Sequence, residues 1–203
     1  GRLVGVHFFN PVSQLPLVEI VEGSSTAPQA AQAALRFARK LDKLPLPCKN
    51  APGFVVNRIL TPYVNEALFA LEGGIPAAVI DRAATDFGMP MGPIELTDVV
   101  GLDVSLHVGR VLAQAFKRRI PESLATLVEQ KKLGRKSGEG FYRWEDGKAV
   151  KPASPPFAVP EDLQDRLILP MLNEAVACLR EGVVADADLL DAGAIFATGF
   201  APF

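Results

Sequence analysis

The sequence is poor in cysteine and histidine, the side chains that form disulfides and bind transition metals. It has two cysteines, Cys48 and Cys178, and two histidines, His7 and His107, in 203 residues. No group of His, Cys and Asp has the spacing of a metal site, so no metal is predicted. The cysteines lie far apart among apolar or helical neighbours, which favours two free thiols in a reducing compartment.

Long apolar runs and blocks of one charge are also missing. No apolar run approaches the roughly 18 residues that a membrane-spanning helix needs, and no signal-peptide pattern opens the chain. The formal net charge is −2, and no basic stretch is interleaved with aromatic residues, which argues against a nucleic-acid partner. We therefore expect a cytoplasmic protein if the source is bacterial, or an organellar-matrix protein if it is eukaryotic.

The first fifty residues have an α/β pattern. Apolar runs at residues 3–9 and 17–21 end at turn-forming residues and predict two strands of a buried sheet. The Ala-rich stretch 28–41 predicts a helix, with Ser25-Thr26 as its cap. A short extended piece follows Pro45-Leu46-Pro47.

The remainder has mostly helical spacing. Helices are predicted at residues 56–71, 75–87, 93–100, 102–116 and 122–132. Residues 134–147 hold four glycines and three aromatics, which predicts an ordered loop or hairpin. Four prolines in residues 151–160 indicate a linker.

An internal repeat follows that linker. Residues 62–67 match residues 170–175 at an offset of 108, and Arg58 and Arg166 have the same offset. Two copies of one helical unit, packed on each other, are therefore predicted. We expect a mainly α chain with a small α/β N-terminal part, divided into residues 1–50, 51–150 and 151–203. The last range is the second repeat, cut short at Phe203. Because the chain has no initiating Met and ends in an apolar run, we expect it to be a fragment of a longer protein.

Two residues of the α/β part are candidates for acid–base chemistry. His7 ends the first apolar run, where an imidazole suits reversible proton transfer, although a purely structural histidine is the alternative. Glu19 interrupts an apolar strand, and a buried carboxylate needs a partner. A histidine on the neighbouring strand would be that partner and would be held in one tautomer. The alternative is a water-facing Glu19 at a strand edge.

Asn57 is a further polar candidate, near the start of the long helix after Pro52-Gly53-Phe54. Its amide could donate to a substrate carbonyl, whereas an exposed polar position is the simpler interpretation. Four cations, Lys131, Lys132, Arg135 and Lys136, flank the Gly-rich loop. They could meet coenzyme phosphates, but a solvated charge run is favoured. The sequence contains no G-x-G-x-x-G motif.

Several of these motifs resemble the signature of 3-hydroxyacyl-CoA dehydrogenases. They are His-Phe-Phe-Asn-Pro-Val at 7–12, Leu-Val-Glu-Ile-Val at 17–21, Pro-Gly-Phe-Val-Val-Asn-Arg at 52–58 and Gly-Arg-Lys-Ser-Gly-Glu-Gly-Phe-Tyr at 134–142. The resemblance implies the end of a Rossmann-type dinucleotide domain followed by two helical units like the C-terminal part of 6-phosphogluconate dehydrogenase. It implies oxidation of (3S)-3-hydroxyacyl-CoA to 3-oxoacyl-CoA with NAD.

The resemblance also implies a role for each candidate. His7 would be the general base, Glu19 would hold His7, Asn10 would contact the nicotinamide cofactor, and Asn57 would contact the substrate near its reacting carbonyl. The family's Gly-rich loop and a catalytic serine precede its histidine, and neither is found here. We therefore expect this chain by itself to be inactive.

The doubled helical unit resembles the large bifunctional subunits that join an enoyl-CoA hydratase to the dehydrogenase. In such a parent protein a thiolase subunit is a possible partner, and a homo-oligomer is expected. Two alternatives stay open: a related hydroxyacid dehydrogenase, which would use lysine in place of histidine, and a non-catalytic helical oligomerisation module.

Overall fold

A computed structural model describes residues 1–152 and 157–201. By its internal contacts the chain forms two compact units. The first combines Gly1–Ile59 with the chain from Leu172 onward, and the second is Leu60–Met171. The domain ranges 1–50, 51–150 and 151–203 stay a prediction. Of the predicted linker, residues 153–156 lie outside the described part of the chain.

The first unit contains a three-stranded sheet in the order β1 (Gly5–Phe8), β2 (Leu17–Glu22) and β3 (Leu44–Lys49). β1 runs antiparallel to β2, and β3 runs parallel to it. β3 includes the prolines that were expected to precede an extended piece. They occupy alternate positions, 45 and 47, on an edge strand, where the nitrogen of every second residue faces away from the neighbouring strand.

β1 differs from its prediction in length and burial. It covers Gly5–Phe8 rather than residues 3–9, and its first two residues are exposed. The apolar run predicted a buried strand, but β1 lies at the edge of the sheet and pairs with β2 alone. β2, in the middle, is the strand whose first five residues are all buried.

Helix α1 (Pro28–Lys40) packs against one face of the sheet. Val18 and Ile20 form a core cluster with Ala34 and Ala38 of this helix. The predicted Ser25-Thr26 cap is wrong, because the N-cap is Ala27 and makes no side-chain hydrogen bond. The Thr26 hydroxyl instead accepts from the Gly23 N–H and donates to the Leu3 carbonyl, so it organises the preceding turn.

The opposite face of the sheet carries Glu19, because successive strand residues point to opposite sides. This face meets helix α8 (Ala187–Thr198). A Cβ added to Gly193 of α8 would lie 3.0 Å from Leu46 Cδ2. The glycine therefore permits the close approach of α8 to β3.

The second unit is built mainly from helices. They are α3 (Ala77–Phe87), α4 (Pro93–Val100), α5 (Leu102–Phe116) and α6 (Glu122–Glu129), and a hairpin of β4 (Arg143–Glu145) and β5 (Lys148–Val150) follows them. The predicted bounds of α4 and α5 are confirmed. α3 begins later than predicted because Pro76 is its N-cap. Among the described residues no single helix is long and apolar enough to cross a bilayer. α4 and α5 reach that length and apolar composition only when they are taken together, and the pair is bent by 103° between them.

Two buried aspartates hold the Gly-rich segment before this hairpin. Asp98 accepts hydrogen bonds from the Phe141 and Tyr142 N–H groups and from the Trp144 indole, each at 2.9 Å. Asp81 accepts from the Tyr142 hydroxyl at 2.8 Å and from the Ile94 N–H at the start of α4. The segment is therefore ordered, as the sequence predicts.

The remaining helices, α2 (Val56–Glu72) and α7 (Leu163–Arg180), contain the sequence repeat, with Pro62 and Pro170 inside them. Two ion pairs connect them. Arg58 pairs with Glu174 at 2.7 Å, and Arg166 pairs with Glu66 at 2.8 Å. The partners exchange roles under the 108-residue offset, which is the reciprocity of a twofold contact. The two ion pairs follow each other in antiparallel order along α2 and α7. The packing of one whole helical unit on the other stays a prediction.

Candidate active site

The sheet register brings together the two residues proposed for acid–base chemistry. His7 of β1 lies directly opposite Glu19 of β2. The His7 Nδ1 and Glu19 Oε2 atoms are 2.7 Å apart. The Glu19 side chain is 0% exposed and that of His7 is 33% exposed. The pair therefore has a buried carboxylate behind an imidazole that solvent can reach.

The second oxygen of Glu19 binds the start of helix α2. Glu19 Oε1 accepts hydrogen bonds from the Val55 N–H at 2.9 Å and the Val56 N–H at 3.0 Å. These N–H groups would otherwise lack partners in the helix, and the positive end of the helix dipole favours a carboxylate there. The cost of burying Glu19 is offset by three hydrogen bonds.

A turn with two left-handed residues aims those N–H groups at the carboxylate. Gly53 has φ of 75° and Phe54 has φ of 49°. Glycine adopts this conformation at little cost, whereas a phenylalanine there is strained. Such strain is typical of functional sites, where the surrounding structure holds it in place. The Pro-Gly-Phe sequence is thus the local cause of the carboxylate-binding turn.

Two aromatic rings flank the imidazole. The ring centroid of Phe9 lies 4.7 Å from that of His7, and the centroid of Phe54 lies 5.6 Å away, both edge-on. Together with the Glu19 bond they fix the plane of the His7 ring. Sequence reasoning missed these rings and the two helix N–H donors. The Phe-Phe pair after His7 and the aromatic residue after Gly53 were the available signals.

The two asparagines occupy different places around this pair. Asn57 lies in the first turn of α2, directly after the Val55 and Val56 donors, and is half-buried. Asn10 is exposed, in the turn that follows β1, three residues after His7. The structure joins His7 to Glu19 by a direct contact. Asn57 is connected to the His7–Glu19 pair through the backbone of the first turn of α2. Asn10 is connected to it through the backbone that follows β1.

Two of the four cations near the Gly-rich loop belong to surface ion pairs. Lys132 pairs with Glu139 at 2.8 Å, and Lys136 pairs with Asp103 at 2.5 Å. Arg135 lies over the ring of Trp144. These contacts support the favoured interpretation of a solvated charge run. His107 is exposed on α5, and the described residues contain no group of three metal-ligating side chains.

The two ring nitrogens of His7 have different roles in this geometry. A carboxylate only accepts hydrogen bonds, so the hydrogen of a neutral His7 ring lies on Nδ1. Nε2 is then the nitrogen with a free lone pair. Such a ring can take a proton from a hydroxyl group near Nε2, while Glu19 holds its orientation and stabilises the imidazolium that forms.

Comparisons with known protein families agree with the motifs. The model of the 3-hydroxyacyl-CoA dehydrogenase NAD-binding domain matches residues 1–51. The model of the C-terminal domain of the same family matches residues 53–144. Both matches fall on the segments whose motifs carried the resemblance.

Relatives include a large subunit and two solved dehydrogenases. A Vibrio cholerae fatty acid oxidation complex subunit alpha is 39% identical over 214 residues, covering 100% of this chain and 30% of its own length. A 3-hydroxybutyryl-CoA dehydrogenase from Escherichia coli has a TM-score of 0.80 and 25% identity, covering 97% of this chain and 61% of its own. The dehydrogenase part of a C. elegans multifunctional enzyme has a TM-score of 0.68 and 30% identity, covering 98% and 49%.

The chain thus spans less than a third of the Vibrio subunit. The predicted fold class is confirmed, since an NAD-binding domain match precedes a helical C-terminal domain match. NAD is the cofactor of this family of oxidoreductases. The two matches together account for most of the sequence, and the chain belongs to the 3-hydroxyacyl-CoA dehydrogenase family.

Proposed function

We propose that this chain is part of an NAD-dependent dehydrogenase that oxidises (3S)-3-hydroxyacyl-CoA to 3-oxoacyl-CoA in fatty-acid β-oxidation. The observation that carries the proposal is the 2.7 Å contact between the solvent-accessible His7 and the buried Glu19. His7 Nε2 takes the proton of the 3-hydroxyl group. Glu19 keeps the ring oriented, because both of its oxygens already accept hydrogen bonds.

The remaining site residues receive binding roles in this proposal. Asn57 donates to a carbonyl oxygen of the substrate from the first turn of α2, and Asn10 contacts the nicotinamide end of the cofactor. NAD, when bound, would supply the acceptor for the hydride of C3. The exposure of Asn10, three residues after His7 in sequence, supports its role at the nicotinamide end. No Gly-rich phosphate cradle occurs in these 203 residues, so they hold only that end of the cofactor.

The parent protein in this proposal is a bifunctional subunit that also carries an enoyl-CoA hydratase. The likeness to the fatty acid oxidation complex subunit alpha supports it, as does the doubled helical unit. A cytoplasmic location, a thiolase partner and a homo-oligomeric state belong to the same proposal. Three apolar residues of α7, Leu169, Leu172 and Val176, are exposed at helical spacing and support an association surface.

The test is NADH-linked reduction of acetoacetyl-CoA, measured for the full-length protein that contains this chain and for the 203-residue chain alone. We expect turnover in the full-length protein and none in the chain, because the chain lacks a phosphate cradle for NAD. A full-length protein that reduces other 3-oxo acids with NADH but leaves acetoacetyl-CoA untouched would point to a related hydroxyacid dehydrogenase. One that reduces neither would favour an oligomerisation module.

A further inference from the structure

A buried arginine occupies the same helical turn that binds Glu19. Arg58 is 3% exposed. Its Nε donates to Glu174 Oε1 at 2.7 Å, and a terminal nitrogen donates to Glu181 Oε2 at 2.8 Å. Glu174 belongs to α7, and Glu181 directly follows the last residue of that helix. Arg58 therefore ties the start of α2 to the C-terminal end of α7.

The backbone of Arg58 also closes the left-handed turn. Its N–H donates to the Gly53 carbonyl at 3.1 Å. The two N–H groups that bind Glu19, those of Val55 and Val56, lie between these two residues. Helical residues advance by about 1.5 Å each, so Arg58 and both donors share one turn with no flexible segment between them. The positions of Arg58 and of the two N–H groups that bind Glu19 are therefore set together.

The repeat provides an internal comparison. Arg166 and Glu66 are the equivalents of Arg58 and Glu174, but their pair is partly exposed, at 38% and 27%. The equivalent of Glu181 in the first repeat is Gly73, so Arg166 lacks a carboxylate at the position from which Glu181 binds Arg58. The reinforced version of the contact is thus the one next to His7 and Glu19.

A gain in folding stability is a poor explanation for the buried Arg58 and its two glutamates. A buried ion pair often contributes little net stability, because removing both charges from water costs about as much as their attraction returns. An arginine with two carboxylates does fix direction, since the planar guanidinium binds only along its N–H bonds. The contact is suited to setting the position of a helical turn.

We propose that Arg58 is a positioning residue for the His7–Glu19 pair, and that Glu174 and Glu181 hold it in place; the role in catalysis rests on the proposed dehydrogenase function. The second helical repeat then serves the reaction by supplying both carboxylates. Arg58 touches neither substrate nor cofactor in this scheme. It acts through the Val55 and Val56 N–H groups on Glu19, and through Glu19 on the His7 ring.

The kinetic test uses the full-length protein with the variants Arg58→Lys and Glu181→Gln. Lysine keeps the charge but cannot direct two bonds along a fork, and Glu181 is 47% exposed, so its change does not endanger folding. Arg166→Lys and Glu66→Gln are the matched controls. We expect kcat to fall about tenfold in the first two variants with KM changed by less than about threefold, and no such loss in the controls.

A second readout does not depend on turnover. In the same preparations, NMR of labelled histidine ring nitrogens reports the tautomer of His7. The His7 signal is the one that is missing from the spectrum of His7→Gln. We expect the Nδ1–H tautomer in the wild type and a mixed population in Arg58→Lys, with the wild-type spectrum in Arg166→Lys. An unchanged His7 signal in Arg58→Lys, or equal disturbance by both variants, overturns the positioning role. If the His7 spectra are as expected but the full-length protein has no dehydrogenase turnover, Arg58 does position His7 and the proposed function is wrong.

Discussion

Glu19 joins a strand of the sheet to the start of a helix. One oxygen binds His7, and the other accepts two N–H groups from residues 36 and 37 positions later in the chain. The sequence predicted the partnership with His7, because a lone carboxylate in an apolar strand requires compensation. It could not predict the helix donors, since backbone N–H groups carry no residue-specific signal and the two segments are remote in sequence.

Cys48 and Cys178 are both buried, in agreement with the predicted free thiols. Burial raises the pKa of Cys178 to about 11, and burial, with Glu19 and Glu22 nearby, raises that of Cys48 further. A thiolate forms only as the pH rises towards the pKa, so at pH 8 both cysteines are almost entirely in the unreactive thiol form.

We therefore expect iodoacetamide at pH 8 to leave both cysteines unmodified in the folded protein and to alkylate both after unfolding in guanidinium chloride. Mass spectrometry of tryptic peptides measures the two conditions side by side. Rapid labelling of either cysteine in the folded protein would contradict the burial described here.

At the scale of elements, the helices were predicted better than the sheet. α4 and α5 have the bounds that their apolar periodicity predicts. Gly92 and Gly101 flank α4, whereas α5 begins after Gly101 and ends at the left-handed Lys117. The strand pattern gave β2 correctly but overestimated β1, since an apolar run does not reveal whether a strand will be central or at an edge. The antiparallel direction of β1 also has no local signature.

The Gly-rich segment illustrates a requirement that only the structure reveals. A Cβ added to Gly140 would lie 2.1 Å from Asp98 Oδ1, which already binds the Phe141 N–H. The side chain of any other residue would push the carboxylate away from its three donors. Gly140 and Gly134 are both needed for close approach to Asp98, whereas Gly138 and Gly147 have positive φ and open space around them.

Gly140→Ala should lower the free energy of unfolding by about 2–3 kcal/mol, because an overpacked site must shift its neighbours. Gly109→Ala is the matched control: Gly109 lies within α5 and its added Cβ would meet nothing within 4 Å. That change should raise the free energy of unfolding by up to about 1 kcal/mol, since alanine favours helix over glycine. Urea unfolding of both variants measures the two values. Equal stability of Gly140→Ala and wild type would refute the steric argument.

At the scale of the whole chain, the repeat was the most informative sequence feature. The offset between Pro62 and Pro170 predicted two copies of one helical unit, and the Arg58–Glu174 and Arg166–Glu66 pairs give the contact its reciprocal form. The repeat pattern did not predict which polar residues differ between the two copies. They are Asn57 and Glu181, whose equivalents are Asp165 and Gly73.

The most direct test of the account compares His7→Gln with His107→Gln in the full-length protein, by NADH-linked turnover of acetoacetyl-CoA. Glutamine keeps a polar side chain in place of His7 but cannot accept the proton, so the rate should fall by about 10²–10⁴-fold. His107 is exposed on α5, and its replacement should leave the rate within about twofold. Near-normal turnover by His7→Gln would contradict the assignment of His7 as the general base and, with it, the proposed role of this chain.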